Sequence, residues 1–431
     1  MIMMIQMDDP IEVLLATRTA YVAFPGIDMK NAKQWLPFQR IALLTDTFDE
    51  INGVTNTYHQ LVTYCEKNDI RLDLFCPTQE KDSDEEAGTV KIHRVRQTAK
   101  IPVYSDLSFD LKLISPRIGM YFVNNRFDII HASSPGNMGL QALTLSYYHR
   151  LPLVGVYHTA LPEYAEETAL KVGKKLIPTL KRTGFWENLT WHFIKGYYNQ
   201  CDLVFSPSEH IRKVLEDRLK TEVRIFSRGI DLEQFNPRYR EERTGLNVLY
   251  VGRVSVEKGL DDLVYAFEDI DNANIIFVGD GPYRKELEER ARRNFVFKGF
   301  LRDASLSAEY ASADLFVFPS RTDTFGNVVL EAMASGLPVI VTDRMAPKEL
   351  VEDGRNGFIV RDREEMREKI GLLLRDSALR KKMGETSRQL AEKRTWNAVF
   401  EKLFEDYLYV KMHYEYARKC MPFGVSSFFS S

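Results

Sequence analysis

Short apolar runs alternate along the chain with longer stretches whose apolar positions recur at helical spacing. In the first half the runs are Arg40–Asp46, Ile70–Phe75, Val90–Val95, Asp128–His131, Leu151–His158, Asp202–Ser206 and Glu222–Phe226. In the second half they are Asn247–Val251, Ile275–Val278, Phe295–Phe300, Leu315–Phe318, Leu337–Thr342 and Phe358–Val360. They are continuous rather than alternating, which predicts strands covered by helices on both faces. The expected fold class is α/β, with two mostly parallel sheets and a ligand crevice at their strand ends. The pattern sets off an extension at 1–38, two α/β halves within 39–394, and a terminal helix with tail at 395–431.

The stretch Ala313 to Asp343 reads as strand, loop, helix, turn, strand. Its helix starts at Asn327 and stops at Gly336 and Pro338. The loop before it, Ser320 to Gly326, opens onto the helix N-terminus, where free N–H groups and the helix dipole suit a phosphate. Asp323 lies in the loop and Glu331 on the second turn, on one face with Asn327. By itself Glu331 reads equally as a surface residue of an amphipathic helix.

A second constellation is a strand followed by Gly252-Arg253, four residues, then Lys258-Gly259 and a helix. It puts two cations at a strand's carboxyl end, where they can neutralise a departing diphosphate. His158 and His131 each stand where a strand stops. Gly53 punctuates the turn after the first strand, and Gly279 to Pro282 form another tight turn. Asp82-Ser83-Asp84 matches a metal-binding D-x-D on paper but lies in an acidic run, read as a solvated loop, so no metal site is expected. In the segment Leu170 to Tyr198, Lys171, Lys174, Lys175, Lys181 and Arg182 precede Phe185, Trp186, Trp191 and Phe193. This fits either an anionic membrane surface or helices packed on the sheet, with Trp186, Leu189 and Phe193 as the buried face.

Composition narrows the function class. A net charge of −3 over 431 residues argues against a nucleic-acid binder that relies on bulk charge. Cys65, Cys76, Cys201 and Cys420 form no C-x-x-C pair, which fits reduced thiols in a cytoplasmic protein. No apolar run reaches membrane-spanning length, and Asp8 and Asp9 precede the first apolar piece where a signal peptide would be basic.

Asp323-Thr-Phe-Gly-Asn-Val-Val-Leu-Glu331 resembles the signature of retaining GT-B glycosyltransferases of the family 4 type, which includes lipid mannosyltransferases, sulfoquinovosyltransferases and sucrose synthases. The family more often has Glu at the first position. The resemblance runs from about Arg40 to Val410 and takes in Arg253, Lys258 and the linker residues Gly229, Asp231, Phe235 and Pro237. It implies two Rossmann-like domains, at 39–228 and 229–394, a crossing helix within 395–431 that returns to the first domain, and transfer of a hexose from a UDP- or GDP-sugar to a lipid, polyprenyl-linked or glycan acceptor. It also implies that Arg253 and Lys258 hold the diphosphate with the backbone of Phe325, Gly326 and Asn327. Glu331 would take the ribose and Asp323 the donor sugar, with His158 near the reacting carbon. Gly53 would face the donor phosphates, and Gly299 and Phe300 the base. No cofactor or metal is implied, and a peripheral position on a membrane's inner face is compatible. A phosphorylase-like enzyme and a silent nucleotide-sugar-binding protein on the same fold stay open. The donor nucleotide, the sugar, the acceptor and the oligomeric state are not readable from the residues.

Overall fold

The computed structural model describes residues 40–50, 53–96, 101–104, 107–109, 115–158 and 184–420. The extension at 1–38, the basic residues Lys171 to Arg182 and the C-terminal tail lie outside them.

The first sheet is built from β1 (Ile41–Leu44), β2 (Leu72–Thr78), β3 (Ser83–Ala87), β4 (Val90–Arg96), then β7 (Ile129–Ala132), β8 (Leu153–Val156), β9 (Leu203–Ser206) and β10 (Val223–Ile225). The intervening β5 (Ile101–Tyr104) and β6 (Leu107–Phe109) form a separate antiparallel pair. The strand order is β10-β9-β8-β7-β1-β2-β4-β3, parallel except for β3 on β4. Every residue of β1, β7, β8 and β9 is buried, as continuous apolar runs require.

The helices of this lobe include α1 (Gly53–Lys67), α2 (Pro116–Asn124), α3 (Asn137–His149), α4 (Phe185–Tyr198) and α5 (Glu209–Glu216). Ser208 caps α5 by accepting from the Ile211 N–H, which satisfies one of the donors a helix start leaves open.

The second sheet contains β11 (Leu246–Val251), β12 (Ala273–Val278), β13 (Phe295–Gly299), β14 (Leu315–Phe318), β15 (Val339–Thr342) and β16 (Gly357–Val360). Its order is β13-β12-β11-β14-β15-β16, wholly parallel. The connecting helices are α6 (Leu260–Ala266), α7 (Arg284–Glu289), α8 (Asp303–Ser312), α9 (Asn327–Ala334), α10 (Arg363–Arg375) and α11 (Ser377–Ala391). The last helix, α12 (Trp396–Cys420), returns to the first lobe: Arg224 bonds Asp406 at 2.7 Å, and Lys411 bonds Asp128 at 2.7 Å.

Two expectations fail. The acidic run at 83–87 is an exposed edge strand, not a loop. Its pairing with β4 brings Asp84 to His93 Nδ1 at 2.7 Å and to Arg117 Nη2 at 2.7 Å, so an ion-pair partner supplies what solvent was expected to. On α4, Trp186, Leu189 and Phe193 are exposed, while Trp191, Ile194, Tyr197 and Tyr198 are buried. Both sets recur at helical spacing, and periodicity alone does not say which face meets the sheet.

The strand orders locate the crevice. In the first sheet the winding reverses between β1 and β7; in the second it reverses between β11 and β14. Loops that leave adjacent strands in opposite directions open a gap at such a point. The segments after β11 and β14 are those carrying Arg253, Lys258 and Asp323.

Candidate active site

Lys258 and Asp323 meet where those two loops adjoin. Lys258 Nζ donates to both carboxylate oxygens of Asp323, at 2.9 and 2.7 Å, and Ser320 Oγ also donates to Asp323. The neighbouring ion pair Arg321–Asp262, at 2.6 Å, ties the loop after β14 to the start of α6. Arg253 is exposed and makes no ion pair or side-chain hydrogen bond among the described residues. One cation is therefore anchored and the other free.

The start of α9 completes this side. Gly326 holds the N-cap with φ of 93°, a left-handed conformation that costs glycine little. The first turn leaves N–H groups without intrahelical acceptors, beside Lys258's partner loop. Phe325 is buried, and Asn327 Oδ1 is buried with no hydrogen-bond partner.

Glu331 lies one turn further along. Tyr310 donates to its Oε2 at 2.7 Å, but burial dominates and raises the carboxyl to about 7. At neutral pH it therefore sits between its charged and neutral forms. Gly299 ends β13 with φ of 68°, and its carbonyl accepts from the Gly279 N–H at 2.7 Å. Phe300 is 56% exposed, with the Arg302 guanidinium 4.9 Å from its ring centre.

The first lobe reaches this site at two places. A Cβ on Gly53 would lie 2.5 Å from Asn327 Nδ2, so the absence of a side chain lets α1 abut α9. The His158 carbonyl accepts from Thr324 Oγ1 at 2.9 Å, inside the Asp323–Glu331 stretch. A third contact between the lobes caps α5: Glu349 accepts from the Glu209 and His210 N–H groups at 2.9 and 2.5 Å.

The ring of His158 is turned inward. Arg228 Nη2 lies 2.8 Å from its Nδ1, and Tyr58 Oη 2.9 Å from its Nε2. Tyr58 Oη is also 3.0 Å from His131 Nε2, and His131 Nδ1 is 2.5 Å from Tyr407 Oη. An arginine only donates, so Arg228 donates to Nδ1 of His158, and the neutral ring's Nε2–H donates to Tyr58. Tyr58 in turn bonds His131, and His131 bonds Tyr407. Burial lowers both imidazoles, His131 to about 3 and His158 well below its usual value, so both are neutral. His158 therefore offers the crevice its backbone carbonyl, while its ring nitrogens are occupied within the fold.

The structure thus brings together Lys258, Asp323, Gly326, Asn327, Gly53 and the His158 carbonyl, with Arg253 following the adjoining strand. Sequence reasoning passed over Tyr58, Tyr310 and Arg228. The two tyrosines carry no motif. Arg228 precedes the linker glycine Gly229, and its position there was the available signal.

Two family models match the chain: Glycosyltransferase Family 4 over residues 51–234 and Glycosyl transferases group 1 over 245–376. A sulfoquinovosyl transferase of Arabidopsis thaliana is 33% identical over 387 residues, covering 85% of this chain and 72% of that protein. A GDP-mannose-dependent alpha-mannosyltransferase of Corynebacterium glutamicum is 27% identical, covering 85% and 88%. Among solved structures, a sucrose-phosphate synthase of Thermosynechococcus elongatus superposes with a TM-score of 0.68 at 21% identity, covering 86% and 99%. Anabaena HepE, in complex with UDP and glucose, superposes with a TM-score of 0.63 at 18% identity, covering 85% and 98%. With two parallel-sheet lobes and signatures in register at Arg253, Lys258, Asp323 and Glu331, the chain belongs to the family 4 glycosyltransferases of GT-B fold and is a hexosyltransferase.

Proposed function

We propose that the protein transfers a hexose from a UDP- or GDP-sugar to a lipid, polyprenyl-linked or glycan acceptor, with retention at the anomeric carbon. The observation that carries this reading is the meeting of Lys258 with Asp323, beside free Arg253 and the start of α9. Arg253, Lys258 and the first N–H groups of α9 take the diphosphate. Their positive charge stabilises the leaving group most when its bond to the sugar breaks. Glu331 takes the ribose hydroxyls, Asp323 a hydroxyl of the donor sugar, and Gly299 and Phe300 flank the base. The C1–O bond to the diphosphate breaks as the acceptor oxygen bonds to C1 on the same face. The acceptor hydroxyl proton passes to the departing phosphate oxygen. No side chain is needed as a covalent nucleophile, which agrees with the inward-turned ring of His158. The chemistry as proposed uses no metal or cofactor.

A lipid acceptor is favoured by the relatives that act on lipids, which include an alpha-monoglucosyldiacylglycerol synthase of Streptococcus pneumoniae 26% identical to this chain. The exposed Phe185, Trp186, Leu189 and Phe193 of α4 give an apolar face suited to a peripheral position on the cytoplasmic side of a membrane. Among the described residues no helix is long and apolar enough to cross one.

The test is release of UDP or GDP from a panel of nucleotide hexoses, with lipid vesicles or glycans as acceptors and the product anomer read by NMR. One nucleotide released only with acceptor, giving the donor's anomeric configuration, is the expected result. Consumption of inorganic phosphate with no nucleotide sugar, or an inverted product, would overturn the reading.

A further inference from the structure

Arg228 is 5% exposed, yet no carboxylate pairs with it among the described residues. Its Nη2 is spent on His158, and its Nη1 is buried with no hydrogen-bond partner. Around it stand the neutral His158, Tyr58 and the Phe226 ring, whose centre is 5.9 Å from the guanidinium carbon. Burial without a countercharge lowers even this guanidinium, to about 10. A lone buried cation with an orphaned donor costs stability that nothing in the fold returns.

Its place gives that cost a reason. Arg228 bonds the residue whose carbonyl accepts from Thr324, inside the Asp323–Glu331 signature. It also precedes Gly229, where the chain passes between the lobes. A Cβ on Gly229 would lie 2.6 Å from the backbone of Trp396, and Ile230 bridges Thr395, so both crossings of the chain run side by side here. Access to the buried Nη1 would therefore depend on how the lobes sit at this crossing.

We propose that Arg228 is an anion-binding residue of the crevice, its unpaired Nη1 taking a tetrahedral oxyanion of phosphate or sulfonate type from a substrate. This assignment rests on the glycosyltransferase reading above. The oxyanion comes either from the donor's diphosphate or from an anionic acceptor headgroup. The planar fork suits such an oxygen pair, and the water-poor setting strengthens the bond. Substrate would then supply a countercharge that none of the described residues provides.

The experiment uses the full chain with Arg228→Gln, which keeps a donor for His158 without the charge, and Arg228→Lys, which keeps the charge without the fork. Affinity and thermal shift are measured for UDP, GDP and sn-glycerol 3-phosphate, with Glu331→Ala as the control for nucleotide binding. Ligand-free Arg228→Gln is expected to melt no lower than wild type, while its affinity for one anion falls about tenfold or more. Arg228→Lys is expected to lie between. A loss confined to UDP or GDP identifies the donor diphosphate, and a loss confined to glycerol 3-phosphate an acceptor headgroup. If wild type binds a nucleotide in a Glu331-dependent way and both Arg228 variants bind every anion as wild type does, the Arg228 assignment alone is overturned. If wild type binds no nucleotide, the donor reading falls; the Arg228 assignment falls with it unless glycerol 3-phosphate binds and loses affinity in both variants.

Discussion

Lys258 holds both oxygens of Asp323, 65 residues further along the chain, at 2.9 and 2.7 Å. The pair clamps the loops after β11 and β14 into one surface, which would present Lys258 to the proposed diphosphate already oriented. Lys258→Ala is expected to lower kcat by about 10²–10³, the usual cost of removing one charge-stabilising donor. Asp323→Asn keeps the shape but leaves Lys258 mobile, and is expected to lower kcat with the nucleoside diphosphate Kd changed little. Steady-state kinetics beside calorimetric nucleotide binding separate the two effects. Equal loss of binding in both variants would show that the clamp serves affinity rather than the transition state.

With Glu331 on the ribose as proposed, nucleotide binding is expected to depend on pH. Its carboxyl is raised to about 7 by burial, above its ordinary value of 4.5. Between those values the folded state holds more protons than the unfolded state, so this group's contribution to stability falls as pH rises from about 4.5 to about 7. Ribose hydroxyls bond better to the charged form, so nucleotide affinity is expected to rise through the same range. Glu331→Gln is expected to flatten that rise, weaken nucleotide binding several-fold at pH 8, and raise the ligand-free melting temperature there. Titrations at pH 6, 7 and 8 check both signs.

Tyr58 joins the two buried histidines, with bonds of 2.9 and 3.0 Å to His158 and His131. Tyr58→Phe strands a ring nitrogen on each and is expected to cost roughly 2–4 kcal/mol in urea unfolding. Both imidazoles are lowered by burial, His131 to about 3. Below about 6.5 the unfolded chain takes up protons that the folded chain refuses, so the wild type loses stability as pH falls from there toward 3. The kcat profile between pH 5 and 8 is expected to show no histidine ionisation. His158→Asn is expected to shift activity without introducing or removing a pH step. A step near 6.5 that vanishes with His158 would make the ring a general acid or base.

Gly53 touches the donor helix only because it has no side chain. Gly53→Ala places a methyl 2.5 Å from Asn327 Nδ2, the movable end of that side chain. The fold can absorb this by turning Asn327, so the melting temperature is expected to change little. The geometry at the start of α9 cannot absorb it as easily, and kcat/KM is expected to fall about tenfold. Thermal melts beside kinetics check the prediction; a variant with unchanged kinetics would remove Gly53 from the site.

Much of this protein could be read from its residues alone. The buried strands are continuous apolar runs, and such runs have few other places to go than a parallel sheet between helices. The loops after β11 and β14 were legible because Arg253, Lys258, Asp323 and Glu331 keep a spacing that places charge at strand ends. Local spacing is a property of the chain itself. Tertiary structure decided what spacing does not carry. It chose which face of α4 is buried, since two apolar faces of similar period compete and only the sheet selects one. It engaged both ring nitrogens of His158, because Arg228 and Tyr58 arrive from 70 and 100 residues away. It raised Glu331 by burial, against the lowering effect of the bond from Tyr310. It also left Arg228 without a carboxylate partner among the described residues. Burial, pairing and protonation are set by whatever the fold brings within a few ångströms, and those neighbours are remote in sequence.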